Sequence, residues 1–333
     1  MQNTIESILA EFRNRWGDTR THVFDVHAET VEGRAVLSGE VLEAAQLDEL
    51  RAALGAQADV GAVRVLRQPG AALWSVTTNL TSLHVGRSFI SEQISQMLNG
   101  AQVEIFKQEG NWVYVRQTDG YLGWTYQPYL GEVERFEAGH LVISPVSVLL
   151  AEPEQDAHRL TRVLGGTEVH VARAKHEWGE VILAGGLTGW LPLTDLRSRV
   201  HLPSSEAQRR EQIVQDGLRM TGVPYLWGGV SANGIDCSGL AQLLHRWVGF
   251  TLPRDADMQC AAGKPVEPPF QPGDLLFFGE QGERRNITHV AVSLGGWDII
   301  HSSRARNGVH TDNVQEVKGL RESFLQAATY LAE

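Results

Sequence analysis

The residues with the clearest potential for chemistry are one cysteine and two histidines in the last third of the chain. Cys237 begins a segment in which apolar residues recur at the spacing of one helix face. At the first turn of a helix, unpaired backbone N–H groups favour the thiolate that attacks in acyl transfer. A thiolate nucleophile also needs a positioned base, and His289 and His301 begin and end a predicted hairpin that follows.

Each of these residues also has a structural interpretation. A single cysteine is usually a small buried apolar residue, and a single histidine is usually a satisfied core or edge residue. Cys237 with His289 and His301 could bind zinc, but a cysteine at a helix start favours catalysis, and no metal is expected.

The hairpin provides a geometric criterion. A two-residue turn at Gly295-Gly296 would place His289 and His301 on opposite faces, because cross-strand partners share a face. A three-residue loop, pairing Leu294 with Asp298, would place both histidines on one face. The sequence therefore predicts an odd loop or a bulge, and a clean two-residue hairpin would contradict a catalytic triad.

The motifs around these residues resemble those of the NlpC-type cell-wall peptidases, a papain-like family of cysteine hydrolases. The matching segments are Pro224-Tyr-Leu-Trp-Gly-Gly, Asp236-Cys-Ser-Gly-Leu, Pro272-Gly-Asp-Leu-Leu-Phe-Phe, Thr288-His-Val-Ala-Val and Ile300-His. They occur in the family order and cover about the last 130 residues. The resemblance implies that Cys237 is the nucleophile, His289 the general base and acid, and His301 the residue that orients His289. It also implies that Tyr225 helps to hold the oxyanion; a buried aromatic residue with a satisfied hydroxyl is the alternative.

An internal repeat precedes this region. Residues 98–125 align without a gap with residues 164–191, at a constant offset of 66. Each copy alternates apolar and polar residues between glycines, which is typical of short antiparallel strands that close a small barrel. The pattern Gly-x-x-Val…Trp-x-x-Val…Asp-Gly-Tyr-x-Gly-Trp resembles bacterial SH3 domains. Tyr121 of the first copy is Leu187 in the second, so the barrel core does not require the tyrosine.

The first 70 residues predict a helix, a hairpin, a second helix and a strand. This small α+β module resembles the bacterial BON domain in its strand Arg34–Val41, and an inert packing module is the alternative. The predicted fold is multidomain: a small α+β module at 1–70, two all-β SH3-like barrels at 71–135 and 136–203, and an α+β papain-like catalytic domain at 204–333.

Two barrels before an NlpC-type domain resemble the γ-D-glutamyl-L-diamino acid endopeptidases of murein-peptide recycling. The resemblance implies that the first barrel walls the cleft and that a carboxylate–tyrosine cluster binds the free amino group of an N-terminal L-alanine. It assigns Asp255 and Tyr121 to this cluster, with Glu92 as a further barrel carboxylate. It also assigns Asp236 and Ser238 to contacts with the γ-D-glutamyl unit. Helix capping is the alternative for Asp255 and for the pair that flanks the nucleophile.

Composition bears on other classes of function. The 333 residues include 29 basic and 40 acidic side chains, a net charge of −11, without a basic face, so no nucleic-acid partner is expected. Two cysteines exclude a disulfide scaffold and a Cys-x-x-Cys zinc pattern. No apolar run approaches the roughly 18 residues of a membrane span, and no secretory leader pattern is present. We therefore expect a cytoplasmic protein, unless a leader precedes this chain, with no membrane partner. The absence of a phosphate loop or dinucleotide fingerprint predicts no cofactor.

Together these features predict a cytoplasmic cysteine endopeptidase that cleaves murein tripeptides or tetrapeptides between γ-D-glutamate and lysine or diaminopimelate, releasing L-Ala-γ-D-Glu. Three alternatives remain open. They are a secreted hydrolase of intact wall with barrels as wall anchors, an acyltransferase or amidase on the same frame, and a non-catalytic binding protein. The sequence leaves the oligomeric state unknown and does not choose between the two diamino acids.

Overall fold

The computed structural model describes residues 2–71, 73–132, 138–280 and 286–331. Its helices and strands fall into four groups along the chain, and most of the regular structure is β-sheet. No helix within these ranges is both long enough and apolar enough to cross a bilayer.

The first group is an α+β unit with one three-stranded sheet. Its elements are α1 (Gln2–Arg15), β1 (Phe24–Val31), β2 (Arg34–Val41), α2 (Ala44–Leu54) and β3 (Ala58–Val65). Strand β2 is central, antiparallel to β1 and parallel to β3. Apolar side chains from both helices and all three strands form one core, including the fully buried Leu9, Leu37 and Leu50. The predicted order of elements is therefore present.

The second and third groups are two sheets of seven strands each. The first contains β4 (Leu73–Val76), β5 (Leu80–His84), β6 (Gln93–Leu98), β7 (Gln102–Glu109), β8 (Trp112–Gln117), β9 (Leu122–Tyr126) and β10 (Leu130–Gly131). The second contains β11 (His140–Val142), β12 (Val146–Leu150), β13 (Arg159–Leu164), β14 (Glu168–Lys175), β15 (Trp178–Ile182), β16 (Thr188–Pro192) and β17 (Leu196–Ser198). Strand order is the same in both sheets when corresponding strands are matched, so the sequence repeat is also a repeat of topology.

The turn glycines of the repeat share a backbone conformation. Gly120 and its counterpart Gly186 have φ values of +90° and +88°, in the region that side chains with a Cβ rarely adopt. A glycine at this position therefore meets the same backbone requirement in both copies.

The fourth group contains several helices and a six-stranded sheet. Its elements are α3 (Glu206–Arg219), β18 (Val230–Ser231), β19 (Gly234–Ile235), α4 (Cys237–Trp247), α5 (Ala256–Ala262), β20 (Lys264–Val266), β21 (Leu275–Glu280), β22 (Asn286–Gly295), β23 (Asp298–Ser303), β24 (Gly308–Asn313), α6 (Lys318–Ser323) and β25 (Phe324–Thr329). The sheet order is β20-β25-β21-β22-β23-β24. Leu240, Leu244 and Trp247 of α4 are fully buried in the core of this group, which fixes the helix against β22 and β23.

The domain boundaries predicted after residues 70 and 203 fall between these groups: β3 ends at Val65 and β4 begins at Leu73, while β17 ends at Ser198 and α3 begins at Glu206. The boundary predicted between 135 and 136 lies outside the described residues.

Candidate active site

Cys237 is the first residue of α4, as the sequence predicts. Asp236 is the N-cap, and its Oδ1 accepts a hydrogen bond from the backbone N–H of Gly239 at 2.7 Å. Burial opposes the local features that favour a thiolate. Burial raises the pKa of the Cys237 thiol to about 11, and the neighbouring Asp236 charge acts in the same direction. Hydrogen bonds from the backbone N–H groups of Val290 and Ser238 favour the thiolate, but they do not outweigh these effects.

The hairpin that carries both histidines has the predicted bulge. Val292 pairs with Ile300, but Gly295 pairs with Asp298, so the register shifts by one residue before the turn. A one-residue shift exchanges the faces on which side chains emerge. His289 and His301 consequently lie on one face, with His289 Nε2 2.7 Å from His301 Nδ1.

A carboxylate continues this chain of contacts. Asp312 Oδ2 lies 3.2 Å from His301 Nε2 and 2.9 Å from His310 Nε2. A proton on His301 Nε2 that is donated to Asp312 leaves His301 Nδ1 as an acceptor for the Nε2–H of His289. His289 then carries its lone pair on Nδ1, which is the state of a general base.

Burial favours the neutral form of both His289 and His301. It lowers the pKa of His289 to about 3, and the neighbouring His301 lowers it further. Burial also lowers the pKa of His301 to about 4, although its hydrogen bond with Asp312 acts in the opposite direction. These shifts favour a neutral thiol and neutral imidazoles, at a site where Cys237 and His289 are partly buried and line the cleft.

Sequence analysis missed Asp312, although a signal was present. His301 pairs directly with His310 across β23 and β24, and Asp312 follows His310 by two residues on the same strand. Residues two apart on a strand emerge on the same face. The alternation His310-Thr-Asp312 therefore placed a carboxylate beside the histidine pair, but recognising it required knowing that β24 adjoins β23.

Tyr225 lies in the same cleft as Cys237. Arg304 Nε donates to its hydroxyl oxygen at 3.3 Å, and the Arg304 guanidinium lies 5.5 Å from the ring centroid. Burial raises the pKa of the Tyr225 hydroxyl, so it remains protonated. Because Arg304 occupies the oxygen as a donor, the O–H of Tyr225 is available to donate into the cleft.

The two residues that flank Cys237 are bound to a buried arginine. Arg254, 1% exposed, donates to Asp236 Oδ2 at 2.6 Å and to Ser238 Oγ at 2.8 Å. Asp236 Oδ2 also accepts from the backbone N–H of Gly228 at 2.9 Å. Both side chains line the cleft, but this geometry matches the capping alternative for Asp236. Their contact with a γ-D-glutamyl unit stays a prediction.

Asp255 lies at the other end of the cleft, at the N-cap position of α5. Within the described ranges its side chain makes no capping hydrogen bond. Instead, Oδ2 accepts from the Tyr121 hydroxyl at 2.9 Å, across 134 positions of sequence. Burial, followed by the Asp255 charge, raises the pKa of Tyr121, so its hydroxyl is a donor. The sequence-predicted pair is therefore in contact.

An arginine that sequence analysis did not single out completes this cluster. Arg20, in the loop between α1 and β1, donates to Asp255 Oδ2 at 2.9 Å and to both oxygens of Asp257 at 2.8 Å. The contact with Asp255 spans 235 positions. No local pattern around Arg20 indicates it, since its loop has neither periodicity nor a motif.

The cleft between these two ends encloses about 770 Å³. Strand β6 of the first seven-stranded sheet contributes Ile94 to its wall, and the residues just before β6 and β9 contribute Glu92 and Tyr121. Glu92 Oε1 accepts from Trp227 Nε1 at 2.9 Å, so this carboxylate lies in the cleft as well. Leu187, the counterpart of Tyr121, is 43% exposed on the second sheet.

Comparison with known proteins gives a consistent result. The NlpC/P60 family matches residues 222–328, and the bacterial SH3 domain family matches residues 78–131. A gamma-D-glutamyl-L-lysine dipeptidyl-peptidase of Bacillus cereus is 30% identical over 254 residues, which are 71% of this chain and 75% of the relative. The chain belongs to the NlpC/P60 family. An enzyme of the same name from Bacillus subtilis is 29% identical over 231 residues, 65% of this chain and 74% of the relative.

A solved structure shares the fold of this NlpC/P60 chain. The crystal structure of an NlpC/P60 family protein from Bacillus cereus has a TM-score of 0.69 and 23% identity, covering 78% of this chain and 100% of that one. The predictions of an NlpC-type cysteine peptidase and of a bacterial SH3 domain are confirmed.

The described residues whose ligand atoms cluster differ from the set considered in the sequence. Among the described residues of this NlpC/P60 peptidase, His301, His310 and Asp312 have ligand atoms within 4.8 Å of one another. Cys237 does not belong to this group, and Arg306 Nη2 donates to Asp312 Oδ1 at 2.8 Å. The geometry therefore fits a hydrogen-bonded relay that steadies His301.

Proposed function

We propose that this NlpC/P60 peptidase hydrolyses the bond between γ-D-glutamate and an L-diamino acid in murein peptides that carry a free N-terminal L-alanine. One observation carries the proposal: Asp255, supported by Tyr121, lies in the same cleft as Cys237 and His289. The two relatives named gamma-D-glutamyl-L-lysine dipeptidyl-peptidases support the same bond specificity.

In this proposal Cys237 is the nucleophile and His289 is the base. His289 Nδ1 accepts the thiol proton as the sulfur attacks the γ-carbonyl carbon of D-glutamate. The imidazolium then gives that proton to the departing amine of the diamino acid, which leaves a thioester on Cys237. Water attacks the thioester as it loses a proton to His289, and the protonated thiol re-forms when L-Ala-γ-D-Glu departs.

His301 has a supporting part in these steps. Its Nδ1 accepts the Nε2–H of His289, which keeps the lone pair of His289 on Nδ1 and stabilises the imidazolium when it forms. Tyr225 donates its O–H to the oxyanion of the tetrahedral intermediates, with Arg304 fixing the phenol.

Asp255 binds the ammonium group of the substrate in this proposal. Tyr121 keeps the carboxylate in place through a charge-assisted hydrogen bond. A substrate without the ammonium group would leave a partly buried carboxylate unpaired, and such a site discriminates more strongly than an apolar pocket. Glu92 adds negative charge along the same wall.

The architecture supports action on short peptides. We propose four domains at 1–70, 71–135, 136–203 and 204–333, with an SH3-like barrel in each of the two middle ones. The first sheet lies against the cleft, where it would obstruct an intact wall strand, so a wall-anchoring role for this barrel is disfavoured. Short released peptides are the substrates of murein recycling, and we therefore place the enzyme in the cytoplasm.

Mass spectrometry of peptide hydrolysis tests the proposal. We would incubate the enzyme with L-Ala-γ-D-Glu-L-lysine, with the diaminopimelate analogue and with the N-acetylated form of each, using Cys237→Ala as the control. The expected result is release of L-Ala-γ-D-Glu from the free peptides only. Equal cleavage of free and acetylated peptides would instead favour a general wall hydrolase, and no cleavage would favour an acyltransferase or amidase.

A further inference from the structure

The first 70 residues hold a side chain in the catalytic cleft. Arg20 belongs to the first α+β unit, yet it lines the cleft together with Cys237 and Asp255. We infer that this unit is part of the substrate site, in which Arg20 positions Asp255 to bind the free ammonium group of a short peptide. The inference rests on the proposed function and adds a specificity-determining residue to it.

The loop that carries Arg20 is fixed in place by packing. The backbone N–H of Leu122 donates to the carbonyl oxygen of Arg20 at 2.8 Å, directly beside Tyr121 in sequence. A small apolar cluster of buried Leu42, Leu66 and Leu122 joins the two units nearby. Ion pairs also cross this interface, at Lys107–Glu40, Arg67–Glu104 and Arg116–Glu43. Arg20 is therefore held by a docked unit.

The guanidinium of Arg20 makes five hydrogen bonds, which equals its number of N–H donors. Two go to Asp18 of its own loop, two to Asp257 and one to Asp255, all between 2.8 and 2.9 Å. A substrate carboxylate would have to displace one of these partners to bind Arg20. Arg20 must therefore act on the substrate indirectly, through the carboxylates to which it is hydrogen-bonded.

Asp255 is the carboxylate through which Arg20 can affect substrate binding. Its Oδ2 accepts from both Tyr121 and Arg20, whereas Oδ1 accepts no hydrogen bond from any residue that the structure describes. Its side chain is 27% exposed towards the cleft. The two donors together fix the rotation of the carboxylate and leave Oδ1 for an ammonium group.

Charge explains why an arginine is needed at this point. Asp18, Asp255 and Asp257 all lie within hydrogen-bond distance of one guanidinium. Without that shared counter-ion the three carboxylates would repel one another, and Asp255 would lose one of its two donors. A lysine cannot replace it, because an ammonium group lacks the planar fork that holds several carboxylates at once.

Steady-state kinetics of Arg20→Gln and Arg20→Lys test the inference. For L-Ala-γ-D-Glu-L-lysine we expect KM to rise about tenfold in both variants, the order of one charge-assisted hydrogen bond, with kcat within about twofold. The preference for free over N-acetylated peptide should fall by the same factor. Arg67→Gln is the matched control, because Arg67 pairs with Glu43 and Glu104 away from the cleft, and it should behave like wild type.

A double variant tests whether Arg20 acts through Asp255. Arg20→Gln added to Asp255→Asn should cause no further loss of kcat/KM, since the residue it positions is already absent. Circular dichroism and thermal unfolding of every variant check that the unit remains docked and folded.

Other outcomes would overturn the inference. A lower KM in Arg20→Gln would show that Arg20 competes with the substrate ammonium group for Asp255. Equal losses of kcat/KM in Arg20→Gln and Arg67→Gln would show that Arg20 is only a docking contact. Wild-type kinetics in Arg20→Lys would show that only the positive charge of Arg20 matters. Failure of the proposed function is distinguishable, because wild-type enzyme would then cleave acetylated and free peptides alike, or neither, before any variant is made.

Discussion

The two ends of the cleft are assembled in different ways. At the catalytic end, Cys237, His289, His301 and Asp312 all come from one helix and three adjacent strands of the last group of elements. At the end that we propose binds the substrate amine, called the amine end below, Tyr121, Asp255 and Arg20 come from three separate groups, and the contacts between them span 134 and 235 positions.

Under the proposed function, this difference separates chemistry from selectivity. The catalytic end is fixed by one hydrophobic core and by the pairing of neighbouring strands, so it can form within a single domain. The amine end exists only when three units dock together. We therefore expect substitutions at the catalytic end to change turnover of every substrate, and those at the amine end to act on peptides with a free amino group.

The largest effect should come from Cys237→Ala. Without the nucleophile, kcat should fall by at least about 10⁴-fold for free and acetylated peptides alike. The amine end should be unaffected, so the variant should still bind L-Ala-γ-D-Glu-L-lysine in isothermal titration calorimetry. Loss of binding together with turnover would contradict the separation of the two ends.

Asp255→Asn should produce the next largest effect, and a selective one. Removing the charge that pairs with the ammonium group should lower kcat/KM for the free peptide by about 100-fold, equivalent to about 3 kcal/mol. Wild-type kcat/KM should also decline above about pH 8, where a peptide α-ammonium loses its proton.

The pH profile of Asp255→Asn provides the control for that explanation. Because the variant no longer binds the charged form preferentially, its profile should be flatter between pH 7 and 9, and acetylated peptide should show no such decline with either enzyme. An unchanged decline in the variant would assign it to a group on the enzyme.

Tyr121→Leu should have a smaller effect. This change gives the first sheet the residue that the second sheet carries at Leu187. Tyr121 is 4% exposed in the core of its sheet whereas Leu187 is 43% exposed, so thermal unfolding of the variant checks that the fold persists. Loss of the hydroxyl bonded to Asp255 should lower kcat/KM for free peptide by about tenfold. The reciprocal change, Leu187→Tyr at a position 43% exposed, should leave kinetics within about twofold. Similar losses of kcat/KM in Tyr121→Leu and Leu187→Tyr would show a general effect of altering these turns.

The same contrast explains how much the sequence could predict. Cys237 at a helix start and the histidines on one hairpin follow from local periodicity, and the bulge at Gly295 follows from the need to place both on one face. The offset of 66 predicted that the two middle regions repeat the same strands. Arg20 could not be found in this way, because only the docking of the first unit brings its loop to Asp255.

The thiol pKa depends in part on features that the sequence pattern does not show. The helix start and its N–H groups are local features, and they favour a thiolate. The burial of Cys237 depends on tertiary packing, and it raises the pKa to about 11. Local pattern therefore indicates the helix start at Cys237 but not the packing that opposes its thiolate.

Asp312→Asn should have the smallest effect, and it tests the catalytic end alone. The amide oxygen can still accept from His301 Nε2, so the tautomer survives, but the loss of charge weakens the stabilisation of the imidazolium and should lower kcat by roughly threefold to tenfold. Free and acetylated peptides should be affected equally. Asp298→Asn, an exposed aspartate on the neighbouring strand β23, is the matched control and should behave like wild type.

The pH profile of Asp312→Asn distinguishes a relay from general damage to the hairpin. In the wild type, kcat should fall only near pH 4, where buried imidazoles with pKa values of about 3 and 4 take up protons. The hydrogen bond with Asp312 raises the pKa of His301, so removing its charge should lower that pKa further and move the acid limb to lower pH. A loosened hairpin would admit water and return the histidines towards their ordinary pKa of about 6.5, moving the acid limb upwards. The direction of this shift therefore decides whether Asp312 belongs to the catalytic end.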